Sequence, residues 1–352
     1  MKKRVWRRLV MSIVGLTFLS WMFMVPGTQA QAPKAIKLRV VDIYTKGHPL
    51  NDGITWFFSE VEKRTNGRVT FEHYPNQQLV KGPDILDAVG NRIVEMGVLI
   101  YAGAKVPLLF VPQLPFAYGD EDVKKVTDVW YNIVTDKNKH LWKTLDKFNQ
   151  RPIIAYVTTN YQIGTTKKPV KTLSDLKGLK IRVSGAVLPE TISKLDAVGV
   201  SMTTGDAYEA LQRGGVDGAS HPVPSYAGLA YFELIKYATV NFNLGGTCVA
   251  YSINKNVWES LPGDVQEIIT KAGLEASEYT AQHYLDSGKA ALQGIWKEKR
   301  IVVDLLSKED QARVKQLVEP VQEKWISNMA SKGLPARELV ADWERQLKSA
   351  LK

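Results

Sequence analysis

The decisive stretch of this chain is Leu173-Ser174-Asp175-Leu176-Lys177-Gly178-Leu179-Lys180-Ile181-Arg182-Val183. It predicts a helical turn followed by a short strand over residues 180–184, in which side chains alternate between two faces. Arg182 therefore faces away from Ile181 and Val183. If those two apolar residues face a core, Arg182 faces the opposite side, which we predict to be a ligand cleft.

The second half of the chain continues as alternating helices and strands. We predict a helix over 189–198 that ends at Gly199 and a strand over 200–203. Asp206 then caps another helix, with Glu209 three residues later as its partner in a capping box. Gly214 and Gly215 end that helix, and a short strand over 216–220 follows.

The first half shows the same alternation. We predict strands over 37–43, 69–74 and 95–101, with a helix over 51–64 and another that opens at Gly82-Pro83. Strand–helix–strand repeats of this kind predict a mostly parallel sheet covered by helices. Two such α/β lobes, joined by crossover strands over 153–160 and 245–253, form a cleft at the carboxyl ends of their strands.

Two longer helical regions complete the chain. Residues 264–299 contain no proline and have apolar residues at helical spacing, which predicts one long helix or two helices broken near Gly288. Residues 307–329 are also helical in pattern but contain Pro320, which predicts a kinked or split helix.

The N-terminus has the order of a secretory signal peptide. Basic residues over 2–8 precede an apolar run over 9–25, and the small-residue triplet 28–30 follows. An uncleaved membrane anchor is the alternative, because the apolar run approaches the length that spans a bilayer. Pro26-Gly27 favours cleavage, so we predict a signal peptide over 1–30, removed after Ala30, and a periplasmic protein.

Net charge, chain length and cysteine content further restrict the class of protein to which this sequence can belong. Five basic residues of the leader supply half of the formal net charge of +10, which leaves a mild excess of mixed sign on the mature chain. That excess is too weak for nucleic-acid binding. About 320 residues exceed one core, so two domains are expected. Cys248 is the only cysteine and forms no internal disulfide; its apolar setting predicts a packed thiol.

These segments resemble the extracytoplasmic solute receptors of tripartite ATP-independent periplasmic (TRAP) transporters. The resemblance is carried by 173–183 and 206–218, with Arg64-Thr65-Asn66-Gly67-Arg68-Val69 and Tyr74-Pro75-Asn76-Gln77-Gln78-Leu79 in the first half. It implies an α/β, two-lobed periplasmic binding protein fold with a hinge and a long helix that spans both lobes. We expect lobe I over 31–159 plus 247–286, and lobe II over 160–246 plus 287–345.

The resemblance implies a receptor that binds a small organic acid, a carboxylate, in the cleft and closes around it. The receptor would deliver the acid to the TRAP membrane permease subunits for uptake driven by an ion gradient. No nucleophile elbow, zinc spacing or phosphate loop is present, so we expect no enzyme, no cofactor and no metal. A periplasmic sensing module and the binding protein of an ATP-driven importer are the alternatives. A monomer is favoured over a dimer.

Three site positions follow from the resemblance, and a fourth, Tyr161, follows from its place next to one of them. Arg182 is the position that pairs with the ligand carboxylate, for which a guanidinium fork is suited; a solvated strand arginine is the alternative. Gln162 is a candidate hydrogen-bond partner, and its neighbour Tyr161 would border the ligand, unless both only form a crossover loop. His221 stands where many members have asparagine and is expected to donate to the ligand, more strongly if protonated. The alternative for His221 is a structural histidine before Pro222.

The remaining candidates come from their place beside predicted strands. Tyr44, His48 and Tyr101 lie at strand carboxyl ends of the first lobe, and Gln78 lies in the loop that resembles the family. Phe242 and Asn243 would line the pocket from the second lobe. The aromatic residues hint at a flat or aromatic acid, and the single ligand-facing arginine argues for a monocarboxylate.

Overall fold

The computed structural model describes residues 35–352, so the predicted signal peptide lies outside the described residues. Among the described residues, no helix has both the length and the apolar character needed to cross a bilayer. Eleven strands in this part of the chain form two sheets. They are β1 (Ile36–Val41), β2 (Val69–Tyr74), β3 (Met96–Val98), β4 (Gln150–Val157), β5 (Gln162–Thr165), β6 (Lys180–Val183), β7 (Val198–Ser201), β8 (Gly218–His221), β9 (Tyr237–Thr239), β10 (Cys248–Asn254) and β11 (Val302–Asp304).

The first sheet has the order β2-β1-β3-β10-β4. Strand β1 is parallel to both β2 and β3, as crossover helices require, and β10 is antiparallel to β3 and β4. Strands β4 and β10 are buried along their whole length because helices or loops cover both of their faces. Cys248 is fully buried on β10, which confirms the predicted packed thiol.

The second sheet has the order β11-β9-β5-β8-β6-β7. Strand β6, which carries Arg182, is parallel to β7 and β8, whereas β5 is antiparallel to β8 and β9. The prediction of mostly parallel sheets is confirmed, because among residues 35–352 only one strand in each sheet runs against the others. The reversed strands are β5 and β10, which follow the passages of the chain from one sheet to the other.

Twelve α-helices pack around these sheets within residues 35–352. They are α1 (Pro49–Arg64), α2 (Ile85–Gly90), α3 (Val123–Thr135), α4 (His140–Lys147), α5 (Leu188–Lys194), α6 (Thr204–Arg213), α7 (Val223–Gly228), α8 (Lys255–Ser260), α9 (Gly263–Gln293), α10 (Ile295–Glu298), α11 (Lys308–Ala330) and α12 (Ala336–Ala350).

The long helix α9 packs on both halves of the molecule. Gly273 lies against β4 of the first sheet, and Gly288 approaches Pro224 of α7, which follows β8 of the second sheet. The predicted helix across both lobes is confirmed, and α9 is not broken at Gly288. It ends instead at Gly294, whose φ and ψ are both −99°. Helix α11 likewise continues through Pro320 and is not split.

The cap of α6 differs from the prediction. Asp206 was expected to be the N-cap, but the cap is Thr203, whose side chain accepts a hydrogen bond from the backbone N–H of Asp206 at 3.3 Å. Asp206 therefore lies in the first turn, where its charge favours the helix dipole. Gly214 ends α6 in the left-handed conformation at φ +73°, as the sequence predicts.

Substitution of Gly273 tests how tightly α9 packs on the first sheet. A Cβ at Gly273 would lie 2.2 Å from the carbonyl oxygen of Ile153, whereas a Cβ at Gly263 meets nothing within 4 Å. We expect Gly273→Ala to lower the free energy of unfolding by about 1–3 kcal/mol through overpacking. The matched control Gly263→Ala should leave it unchanged or raise it, because alanine is the better helix former. Urea denaturation measures both, and equal effects would contradict the prediction.

Candidate functional site

A cavity of about 350 Å³ lies between the two sheets. Its walls come from the carboxyl ends of β1, β3, β6 and β8 and from the loops that follow them, together with residues of α7 and α9. The lining includes six of the predicted site residues, namely Tyr44, His48, Tyr101, Tyr161, Arg182 and His221. The structure therefore brings together side chains that are far apart in the sequence.

Arg182 is fully buried in the wall of this cavity, although its side chain is charged. Its Nε and Nη2 both donate to the carbonyl oxygen of Met202, at 3.2 and 2.8 Å, and its Nη1 donates to Nε2 of His221. A guanidinium has five N–H groups. These three bonds leave one N–H on each terminal nitrogen for a further acceptor.

The charge of Arg182 has no counterion among residues 35–352, since no carboxylate lies within 4.0 Å of it. Both of its bonding partners are neutral. A buried charge without an opposite charge is costly, and the cost falls when an anion enters. The site is therefore suited to hold an anion against the guanidinium.

His221 accepts a hydrogen bond from Arg182, because a guanidinium carries no acceptor. Its ring proton therefore sits on Nδ1. Burial, and then the charge of Arg182, lower the pKa of His221 well below its ordinary value, so the ring is neutral. The cationic form of His221, which we expected to donate more strongly, is therefore not the form present here, and the group left to donate is Nδ1–H.

His48 has a structural task as well as a place in the wall. It is the N-cap of α1, where its Nδ1 accepts from the backbone N–H of Leu50 at 3.1 Å. Burial lowers the pKa of His48 to about 3, so this ring is also neutral. Its proton is on Nε2, and the ring stacks on Tyr44 with 4.8 Å between centroids.

Aromatic rings form much of the remaining wall. Tyr161 stacks on His221 at 6.0 Å between centroids and 21° between planes. The hydroxyl groups of Tyr284 and Ser225 are 2.5 Å apart, which joins α9 to α7 at the edge of the cavity. An apolar wall with a few placed polar groups is typical of a small-molecule site.

A metal site was not expected from the sequence. Within the described part of the chain, no three His, Cys, Asp or Glu side chains lie close enough together to hold an ion. Among residues 35–352, Arg182 is the only permanently charged side chain in the cavity wall. The arrangement can therefore bind and orient an anion, and its lining offers no paired acid and base.

The sequence of the chain matches one family of known proteins. The model of the bacterial extracellular solute-binding proteins, family 7, matches residues 40–328. This chain belongs to that family. A relative with 28% identity over 337 residues, which cover 94% of this chain and 97% of the relative, is the C4-dicarboxylate-binding periplasmic protein DctP of Rhodobacter capsulatus.

Solved structures agree with this membership. A TRAP periplasmic solute-binding protein of Desulfovibrio salexigens has 26% identity and a TM-score of 0.76, and covers 89% of this chain and 96% of its own. A TRAP solute-binding protein of Rhodoferax ferrireducens, solved with benzoate, has 21% identity and a TM-score of 0.82, covering 90% and 98%. The two-lobed fold and the TRAP-type family 7 receptor predicted from the sequence are confirmed.

Four predicted site residues of this family 7 protein do not line the cavity. Gln162 holds the crossover, because its Oε1 accepts from Phe242 N at 3.0 Å and its Nε2 donates to Asn160 O. Phe242 packs in the core at 1% exposure. Asn243 takes a left-handed turn at φ +54°, and Gln78 is exposed on the surface. The sequence places these four residues near strand ends or in loops, but it does not show in which direction their side chains point.

Sequence reasoning also missed residues that do line the cavity. Gln113, Ser225 and Tyr284 belong to its wall but lie outside the predicted strands, and Thr247 lies in the predicted crossover strand over 245–253 without having been selected. Gln113 sits in a proline-flanked 3₁₀ segment with no recognisable site pattern. One signal was available, since Gly185 directly follows the predicted strand of Arg182, and a glycine there indicates a close approach by another group.

Proposed function

We propose that this receptor binds an organic acid with a single carboxylate in the cavity between its lobes. The carboxylate would accept charge-assisted hydrogen bonds from the two remaining N–H groups of Arg182. The observation that carries this proposal is the charge of the wall. Arg182 is its only permanent cation, and it has no carboxylate partner.

The neutral state of both histidines supports one carboxylate rather than two. A second carboxylate would lose its hydration without gaining a cation as partner. Burial lowers the pKa values of His48 and His221, so neither ring supplies a positive charge. The DctP relative of Rhodobacter capsulatus is named for C4-dicarboxylates. We therefore infer that this chain selects a different class of acid from that relative.

Arg182 cannot supply the affinity alone. A charge-assisted hydrogen bond contributes about 1.5–3 kcal/mol net, whereas micromolar binding requires about 8 kcal/mol. Burial of apolar ligand surface against the rings of Tyr44, Tyr101 and Tyr161 contributes about 25 cal/mol per Å². An acid with an apolar or aromatic body fits this wall better than a highly polar one.

Closure of the two lobes would couple binding to delivery. Arg182 and His221 of the wall lie on strands of the second sheet, and Tyr44, His48 and Tyr101 lie in loops that follow strands of the first sheet. A ligand that contacts both walls favours the closed form. The proposed lobes are those predicted from the sequence, lobe I over 31–159 plus 247–286 and lobe II over 160–246 plus 287–345, of which residues 31–34 lie outside the described residues.

The wider context of the proposal follows from family membership. We propose export by the leader over 1–30 into the periplasm, docking of the closed monomer on TRAP permease subunits, and uptake driven by an ion gradient. The ligand would leave chemically unchanged, because the cavity wall pairs no nucleophile with a base.

Calorimetry with matched acids tests the proposal. We expect the mature protein to bind benzoate or propionate roughly tenfold or more tightly than phthalate or succinate, the matched dicarboxylates. EDTA should leave the affinity unchanged, because we expect no metal between ligand and protein. Tighter binding of the dicarboxylates, or no binding of any acid, would contradict the proposed ligand class, and loss of binding in EDTA would contradict the metal-free site.

A further inference from the structure

Two polar atoms in the wall of the cavity are buried without a hydrogen-bond partner. They are Oε1 of Gln113 and the hydroxyl group of Tyr44. Gln113 is 2% exposed and Tyr44 is 6% exposed. Buried polar groups in folded proteins are almost always paired, so an unpaired atom facing a binding site indicates a missing partner. Neither atom is needed to bind the carboxylate, because the carboxylate binds to Arg182 in the proposed function.

The amide of Gln113 has a defined orientation. The hydroxyl group of Thr247 donates to the carbonyl oxygen of Cys248 at 3.5 Å, so its oxygen is left to accept. It accepts from Nε2 of Gln113 at 3.3 Å. The amide nitrogen is therefore bound to Thr247, and Oε1 is the group without a partner. A carbonyl oxygen accepts hydrogen bonds and cannot donate one.

Gln113 is also held close to the strand that carries Arg182. A Cβ at Gly185, three residues after Arg182, would lie 2.2 Å from the amide atoms of Gln113. Gly185 has φ +76°, which a side chain rarely adopts. The chain therefore leaves room at Gly185 for an amide that comes from the 3₁₀ segment Pro107–Gln113, and the acceptor lies on the same side of the cavity as the end of β6.

We propose that the acid bound by this receptor carries a hydroxyl group, which donates a hydrogen bond to Oε1 of Gln113. This inference rests on the proposed function, in which Arg182 binds the carboxylate. A second carboxylate has no proton to donate, and an ammonium group would meet no carboxylate in the wall. A hydroxyl group is neutral and both donates and accepts. Oε1 of Gln113 offers the acceptor that such a group needs, and the hydroxyl group of Tyr44 is a second unpaired polar group in the same wall.

The test compares acids that differ only by a hydroxyl group. The probe pairs are 3-hydroxybenzoate with benzoate, 4-hydroxyphenylacetate with phenylacetate, and lactate with propionate, each titrated by calorimetry into the mature protein. We expect the hydroxylated member of at least one pair to bind roughly tenfold or more tightly, since a polar group left unpaired in the site penalises the analogue without the hydroxyl.

Two variants test whether the preference for the hydroxylated acid arises from Gln113. Gln113→Leu removes the acceptor at similar size and should bring the affinity ratio of the pair close to one. Gln78→Leu, at an exposed position outside the cavity, should leave the ratio unchanged. Circular dichroism checks that Gln113→Leu folds, and the ratio in the unaltered protein is informative without it.

The outcomes separate this inference from the proposed function. A ratio near one for every pair in the unaltered protein, or a ratio that survives Gln113→Leu, would overturn the role of Gln113 while leaving acid binding by Arg182 intact. If no monocarboxylate of either kind binds, the proposed function fails and the inference fails with it. A ratio lost in Gln113→Leu and kept in Gln78→Leu supports the inference.

Discussion

Replacement of Arg182 by alanine is expected to weaken binding of the organic acid by roughly a hundredfold and at least tenfold. The variant loses the two N–H groups that remain after Arg182 has bonded to Met202 and His221. It also removes the only permanent cation of the cavity wall. A carboxylate would then enter a buried site without an opposite charge, which carries a large desolvation cost.

Arg182→Lys is the matched variant, because it keeps the charge and removes the planar fork. We expect it to bind the acid with an affinity between those of the unaltered protein and Arg182→Ala, since an ammonium group cannot bond to Met202 and a carboxylate in the same plane. Calorimetry measures the affinities, and circular dichroism confirms the fold. Undiminished affinity in Arg182→Ala would disprove the assigned role.

The second large effect concerns stability in acid and arises from His48. Burial lowers the pKa of His48 to about 3 in the folded protein, against an ordinary value of about 6.5 in an unfolded chain. Between these values the unfolded chain binds a proton that the folded protein does not. The free energy of unfolding therefore falls by about 1.4 kcal/mol per pH unit as the pH drops below about 6.5, and the loss ends near pH 3.

A variant isolates this contribution from those of other groups. His221 acts in the same direction, whereas burial raises the pKa of Asp128 to about 6, which stabilises the folded protein in acid. His48→Asn keeps an N-cap side chain that can accept from Leu50 N–H and removes the titrating ring. Its stability relative to the unaltered protein should rise by about 2–3 kcal/mol between pH 7 and about pH 4.5.

Urea denaturation over this pH range gives the comparison. Asp128→Asn serves as the control of opposite sign, because the unaltered protein gains stability from Asp128 as the pH falls below about 6. The steepness of acid destabilisation should therefore increase in Asp128→Asn and decrease in His48→Asn. If the free energy of unfolding depends on pH in the same way in His48→Asn and in the unaltered protein, His48 titrates normally in the folded state and the prediction is wrong.

Periodicity and end signals in the sequence determined most of the elements. Helix α6 ends at Gly214 as predicted, because only a residue tolerant of positive φ fits that position, and β2 has the predicted bounds. These features depend on neighbouring residues alone. The direction of β5 and β10 was not predicted, because strand direction in a mixed sheet depends on how distant segments meet.

The residues of the site likewise divide into those that the sequence placed correctly and those that only the structure placed. Alternation along a strand placed Arg182 opposite Ile181 and Val183, and the structure puts it in the cavity wall. Gln162 lay one residue from Tyr161 in the sequence and received the same prediction, yet its side chain holds the backbone of Phe242. Neighbouring residues of a strand point to opposite faces, and only the packed structure shows which face borders the cavity.

The sequence by itself determined an α/β chain that resembles a family of solute receptors, with Arg182 on the opposite face of its strand from Ile181 and Val183. Only the tertiary structure showed that Arg182 has no counterion among residues 35–352, that both nearby histidines are neutral, and that Gln113 of the 3₁₀ segment Pro107–Gln113 approaches Gly185. Local sequence sets backbone conformation through φ, ψ and side-chain alternation. Burial, charge state and unpaired atoms depend on groups that are distant in the chain and meet only on folding.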